Sequence, residues 1–364
     1  MRVSRRHALA RLGIGVVAHA AMPSFVMTIR AEVEGGHGPI RLDRNENAHG
    51  PSPKVIATIE RAARLVNRYP EAEAELLRRE IARLHGIQPD RIVLGSGAGE
   101  ILRAAIHGLA GPGGTVAAAA PGYDVFQSMV IGAGCHLRSV RLNEEHSHDL
   151  AAMLAASDST TRLVYICNPN NPTGTLTPAA DIEWLVANKP AGCIVMIDEA
   201  YTHIAGAPFH TDMVAADKDV VILRTFSKIY GMAGLRAGAA IARPDLLKKL
   251  GGFSSGMMPI TGMAAASASL EAKYVVPERR KLIGDVREDT YSFLEKHNFS
   301  YVPGKSNCFM VDVKRPVREV ITAMQGEKVY VGRPWPVWPT HMRVTVGLAD
   351  EMKKFQAALL KVMA

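Results

Sequence analysis

No two of the four cysteines stand close enough to make a C-x-x-C pair; Cys135, Cys167, Cys193 and Cys308 are spread along the chain. That spacing signals neither a zinc site nor a disulfide framework, and the thiols read as buried side chains. There is no internal repeat and no low-complexity tract, which excludes a solenoid or a string of linkers. A hydrophobic run long enough for a stable membrane anchor is also missing, because Leu12 to Ala18 is too short and His19 interrupts it. What remains is a chain of 364 residues, 48% hydrophobic and 21% charged. This is the composition of a globular protein with a sizeable core, and the length suits two lobes.

A formal charge of +8 invites thoughts of nucleic acid, but Arg2, Arg5, Arg6 and Arg11 lie in the first twenty residues, which hold no acid. They supply half of the excess. The remaining Lys and Arg alternate with Glu and Asp, as in Glu71 to Arg83, and read as solvated helix faces rather than a basic groove. No nucleic acid is expected. His146 and His148 with Glu144, Glu145 and Asp149 read as a solvated loop between elements, so no metal is expected either.

Residues 1–27 stand apart from the fold. Ser4-Arg5-Arg6-His7-Ala8-Leu9 is a twin-arginine signature, followed by the apolar run and by small residues at Ala18, Ala20 and Ala21 around a cleavage pattern. The expectation is export by the twin-arginine machinery to the periplasm or beyond, or a cytoplasmic location if the signal does not work. That route resembles the one used by proteins that fold and load a cofactor before crossing.

Residues 28–52 form an arm that ends in the turn Gly50-Pro51-Ser52-Pro53, which opens a helix from Lys54 to Leu65. A second helix, Glu73 to His85, stops at Gly86. Strands at Arg91–Leu94, Thr115–Ala119, Leu163–Cys167, Cys193–Ile197, Val220–Arg224 and Ala237–Ala242 then alternate with helices, as in an α/β fold with a mostly parallel central sheet. Beyond Pro244 come long helices (Ile260 to Glu271, Glu278 to His297) and short strands. The expected division is a large domain over 53–244 and a smaller α+β C-terminal domain over 245–364, with the arm packing on the smaller one.

In open α/β sheets, ligands sit at the carboxyl ends of the strands. The residues that follow each strand here make a coherent set. Gly95-Ser96-Gly97-Ala98-Gly99-Glu100 opens a helix and offers an anion site, although its glycine spacing is not a dinucleotide fingerprint. Asn168-Pro169-Asn170-Asn171-Pro172-Thr173-Gly174 is a rigid turn holding an amide. Asp198-Glu199-Ala200-Tyr201 supplies a carboxylate and a phenol, and Thr225-Phe226-Ser227-Lys228 with Arg236 supplies hydroxyls, an amine and a guanidinium. Pyridoxal phosphate requires those groups: an amine for its aldehyde, a carboxylate for its ring nitrogen, and donors for its phosphate.

From Leu42 to Gly347 the sequence resembles fold-type I pyridoxal-phosphate aminotransferases of class I/II, and within them the histidinol-phosphate aminotransferase branch. The matching motifs are L-D-R-N-E-N, N-R-Y-P-E, G-S-G-A-G-E, A-P-G-Y, N-P-N-N-P-T-G, D-E-A-Y, T-F-S-K-I-Y-G-M-A-G-L-R and M-R-V-T-V-G. The resemblance implies the cofactor pyridoxal 5'-phosphate, with Lys228 joined to its aldehyde and shuttling a proton. Asp198 would face the ring nitrogen, Tyr201 and Asn171 the ring hydroxyl, and Tyr123 would stack on the ring. Ala98, Gly99, Thr225, Ser227 and Arg236 would hold the phosphate, and Tyr69 would come from the neighbouring subunit of a homodimer. Arg343, Arg333 and Asn47 are the expected substrate residues, although Gly332-Arg333-Pro334-Trp335-Pro336-Val337-Trp338-Pro339 is unlike the usual loop. His49 stands where the family carries a larger apolar side chain, and reads as a hydrogen-bonded loop residue or part of the substrate mouth. The implied reaction moves an amino group between an amino acid or amine and a 2-oxo acid. A decarboxylase or oxidase on the same scaffold is the alternative, and a non-catalytic cofactor-binding protein a more distant one.

Overall fold

The computed structural model describes residues 38–254 and 257–364, and Arg41–Ala364 form one compact unit. The export segment expected over 1–27 lies outside the described residues. The strands, in chain order, are β1 (Ile40–Leu42), β2 (Ile92–Ser96), β3 (Thr115–Ala120), β4 (His136–Arg141), β5 (Thr161–Cys167), β6 (Ile194–Asp198), β7 (Val220–Thr225), β8 (Ala237–Ala242), β9 (Ser300–Val302), β10 (Cys308–Asp312), β11 (Val329–Val331) and β12 (His341–Thr345).

Seven of these form one sheet in the order β2-β8-β7-β6-β5-β3-β4. Pairing is parallel from β4 through β7, and β8 runs antiparallel to both of its neighbours. The central strands carry helices on both faces and are buried throughout: every residue of β6, β7 and β8 is buried. This is why they read as unbroken runs such as Val220-Val221-Ile222-Leu223, without the alternation of a one-sided sheet. A buried strand has no room for an unpaired polar side chain, so polar residues collect where the strands end.

Helix ends follow local chemistry. Pro53–Ala62 starts where the Ser52 hydroxyl accepts the Val55 N–H, with proline at the first helical position. Glu71–His85 ends on Gly86 at φ 64°, a left-handed conformation that glycine adopts without steric cost. A second, three-stranded antiparallel sheet, β12-β10-β9, lies later in the chain. The arm packs against it: Asn45 donates its N–H to Thr345 Oγ1 at 2.9 Å.

Some elements differ from the sequence reading. β4 (H-L-R-S-V-R) is an edge strand, and its charged, half-exposed residues hide a strand while guarding an open edge. β1 and β9 are three residues each, too short for a pattern. A helix at Ala349–Met363 buries Met352, Phe355 and Leu359 at helical spacing. The histidine-rich loop is not wholly solvated: His148 is buried, with Nδ1 2.9 Å from Thr177 Oγ1, and burial brings its pKa down to about 4. Among the described residues no cluster of three His, Cys, Asp or Glu side chains is placed to hold a metal, and no helix is long and apolar enough to cross a membrane. All four cysteines are buried free thiols.

Candidate active site

A cavity of about 800 Å³ opens at the carboxyl ends of β5, β6 and β7. Asp198, the last residue of β6, is buried on its wall. The Tyr165 hydroxyl donates to Asp198 Oδ2 at 2.8 Å, and the Ala200 N–H donates to Oδ1 at 3.1 Å. These donors favour the carboxylate, but burial outweighs them and pushes its pKa up to about 6. Tyr165 is fixed in turn by Phe126, whose ring stacks on it with centroids 3.8 Å apart.

The turn after β5 is braced by its own amides. Asn168 exchanges two hydrogen bonds with the Thr177 backbone, at 2.9 and 3.0 Å, and Asn170 donates to Thr173 Oγ1 at 2.9 Å. Gly174, at φ 74°, lies against the Cys308 carbonyl, where any Cβ would collide. This brace presents Asn171 to the cavity, and its Oδ1 accepts from Arg343 Nη1 at 2.8 Å. Arg343 is buried, its Nη2 donates to the Asp43 carbonyl, and its Nε has no hydrogen-bond partner among the described residues. A buried guanidinium on a cavity wall, with no carboxylate partner among the described residues, is suited to a ligand anion.

Lys228 follows β7 and reaches into the same cavity, with Nζ donating to the Asn45 carbonyl at 2.8 Å. Burial first, and then the nearby Arg343 charge, bring its pKa down to about 8. Tyr201 is buried on the wall and its hydroxyl accepts from Asn45 Nδ2 at 3.0 Å. Burial raises its pKa, and that of Tyr123, which begins the helix Asp124–Gly132 and faces the cavity.

At another part of the wall, Gly97 caps the helix Ala98–Ala105 at φ 80°. A Cβ there would run into the Arg236 guanidinium, so glycine is what lets the arginine lie across the helix start. The first N–H groups of that helix have no acceptor within it. Thr225 Oγ1 donates to Ser227 Oγ at 2.9 Å, and both residues line the cavity with Ala98, Gly99 and Arg236. Backbone donors, two hydroxyls and one guanidinium make a phosphate cradle.

One of the expected residues lies elsewhere. Asn47 is turned away from the cavity: its amide donates to the carbonyls of Lys228 and Ile229 at 3.0 and 2.9 Å, so it braces the lysine rather than facing substrate. Glu46 takes the place on the wall. His49 donates its N–H to Asn47 Oδ1 and faces the Glu278–Arg279 side, away from the cavity, with its pKa lowered by burial. Tyr69 is 72% exposed and lines a separate groove of about 660 Å³. Arg333 lines the cavity but is held by Asp124, Nε to Oδ2 at 2.8 Å and Nη2 to Oδ1 at 2.8 Å. Tyr165, Asn45 and Asp124 were not singled out from the sequence. Only Asn45, inside L-D-R-N-E-N, carried a motif signal.

The residues fit pyridoxal phosphate. A buried carboxylate lacking a cation calls for a pyridinium, a desolvated amine calls for an aldehyde, and the cradle calls for a phosphate. Fold and site therefore define a pyridoxal-phosphate enzyme of fold type I. The chain belongs to the family of class I and II aminotransferases, which matches residues 38–359. It is 33% identical over 330 residues to the histidinol-phosphate aminotransferase of Symbiobacterium thermophilum, covering 89% of this chain and 91% of that protein. To the histidinol-phosphate aminotransferase of Moorella thermoacetica it is 32% identical, covering 89% and 86%. The crystal structure of histidinol-phosphate aminotransferase from Sinorhizobium meliloti in complex with pyridoxal-5'-phosphate superposes with a TM-score of 0.85 at 25% identity, covering 96% and 99%. The protein is a pyridoxal-phosphate-dependent aminotransferase.

Proposed function

We propose that Lys228 holds the cofactor and moves the reacting proton, and that Arg343 fixes the substrate carboxylate beside it. The observation that carries this reading is one cavity lined together by Lys228, Asp198 and Arg343. Bound pyridoxal phosphate supplies an aldehyde that condenses with amines and a pyridinium that draws electrons from the substrate α-carbon.

The chain's own residues do the rest. Asp198 would hold a proton on the ring nitrogen, Tyr201 and Asn171 would hydrogen-bond the ring hydroxyl, and Tyr123 would pack on the ring. Ala98, Gly99, Thr225, Ser227 and Arg236 anchor the phosphate. Lys228, with its lowered pKa, is able to accept a proton near neutral pH and return it, the property a general base needs. The amino donor, an amino acid or amine, leaves as an oxo compound, and a second 2-oxo acid takes the amine.

The test is a half-reaction: loaded protein is mixed with single amino donors and no acceptor, and cofactor absorbance is followed. A stoichiometric spectral change with release of oxo product, reversed by a 2-oxo acid, supports the reading. Carbon dioxide or peroxide release instead would favour the decarboxylase or oxidase.

We also propose a homodimer, supported by the exposed Leu65, Val66 and Tyr69 beside the second groove. Sedimentation of the loaded protein is expected to give twice the chain mass; a monomer with full activity would refute it. Export is proposed from the Ser4-Arg5-Arg6-His7-Ala8-Leu9 signature and the apolar run and small residues that follow it. Replacing Arg5 and Arg6 by lysine should retain the protein in the cytoplasmic fraction, and an unchanged distribution would speak against a twin-arginine route.

A further inference from the structure

Arg343 is the proposed partner of the substrate carboxylate, and a second arginine of the cavity wall, Arg333, is already matched. Arg333 is gripped at two points by Asp124, while Arg236 belongs to the phosphate cradle; Arg44, 3.6 Å from Asp43, shares that carboxylate with Arg41. The Asp124–Arg333 pair ties the first turn of the helix Asp124–Gly132 to the segment after β11. Val125, Met129, Ile321, Val331 and Pro334 give the same cavity an apolar part of its wall. Glu46 adds a negative charge to the same wall. Trp335, buried and donating its Nε1–H to the Gly122 carbonyl at 3.2 Å, stands behind both arginines, with its ring centre 5.3 Å from Arg343 Cζ and 5.9 Å from Arg333 Cζ.

We infer that Asp124 is a specificity-determining residue. By holding Arg333 in a neutral pair, it makes the cavity favour amino acids and 2-oxo acids with an uncharged, apolar side chain over those with a second anion. The inference rests on the proposed reading that Arg343 takes the substrate carboxylate in this cavity.

The pair is half exposed, and such pairs hold only weakly, so a distal carboxylate or phosphate is able to draw Arg333 away. Asp124 then stays beside the incoming anion, unpaired and of like charge. Specificity of this kind comes from the repulsive element more than from any attractive one. An apolar side chain disturbs nothing: it meets aliphatic wall and leaves the pair intact.

The experiment compares loaded wild-type protein, Asp124→Asn, and the double variant Asp124→Asn with Arg333→Gln. Calorimetry measures binding of two unreactive acids, glutarate and 4-methylpentanoate, which are glutamate and leucine without the amine. Half-reactions with glutamate and leucine are recorded in parallel. Wild type is expected to prefer 4-methylpentanoate, and Asp124→Asn to move the ratio toward glutarate by at least about fivefold. The double variant is expected to lose that gain. An unchanged ratio in Asp124→Asn, or a wild type that already prefers glutarate, overturns the inference. If the acids bind in the expected ratios but neither amino acid converts the cofactor, the transfer reading fails and the specificity assignment stands.

Discussion

Replacing Lys228 by alanine is expected to lower transamination by at least about 10³-fold, because it removes both the amine that meets the cofactor aldehyde and the base that moves the proton. The fold should persist. The amine donates to two backbone carbonyls of the arm, Arg44 and Asn45, and the Asn45 carbonyl also accepts from Asn307. A dead variant with unchanged circular dichroism therefore separates a chemical role from a structural one, and wild-type turnover in it would defeat the assignment. The pH dependence has a definite sign. An amine ordinarily near 10.5 and brought down to about 8 is largely neutral, hence nucleophilic, above pH 8. Cofactor capture by the cofactor-free protein should accelerate as pH rises through about 8 and then level.

The second large effect is expected at Asp198. Asparagine keeps the shape and the Tyr165 contact but holds no proton or charge toward the ring nitrogen, and turnover should fall on the order of 10²- to 10³-fold. A stability measurement exposes the same physics. The carboxyl pKa, raised by burial to about 6, lies above its unfolded value, so its favourable contribution is full at acid pH and is lost as pH rises through about 6. Cofactor-free Asp198→Asn should therefore melt higher than cofactor-free wild type at pH 7.5, and the gap should close toward pH 4. With cofactor bound the order should reverse, because the wild-type carboxylate then meets its cation. Equal melting of both proteins at every pH would mean that the carboxylate carries no such strain.

Much of the site was legible in the sequence for one physical reason. Buried parallel strands exclude polar side chains, so Asn171, Asp198, Tyr201, Thr225, Ser227 and Lys228 stand out at the ends of apolar runs, and they line one cavity. What stayed hidden depends on contacts between distant residues. Tyr165 lies inside β5 and looks like any strand aromatic until its hydroxyl is seen on Asp198, 33 positions away. Asp124 reads as an ordinary acid in a first helical turn, and only the fold brings Arg333 to it across 209 positions. Asn47 shows the reverse: it shares the L-D-R-N-E-N motif with Asn45, yet its amide serves the Lys228 backbone. Motifs name the residue types a site needs, and the tertiary contacts decide which of them face the ligand. β4 was invisible because an edge strand carries the charges that a core strand cannot.

Borohydride treatment of loaded protein freezes any carbon–nitrogen link between the cofactor and an amine, and digestion followed by mass spectrometry locates it. A single tag on the peptide that carries Thr225-Phe226-Ser227-Lys228, at Lys228 itself, is the expected result. A tag on another lysine, or none on protein that has kept its cofactor, would contradict the central assignment.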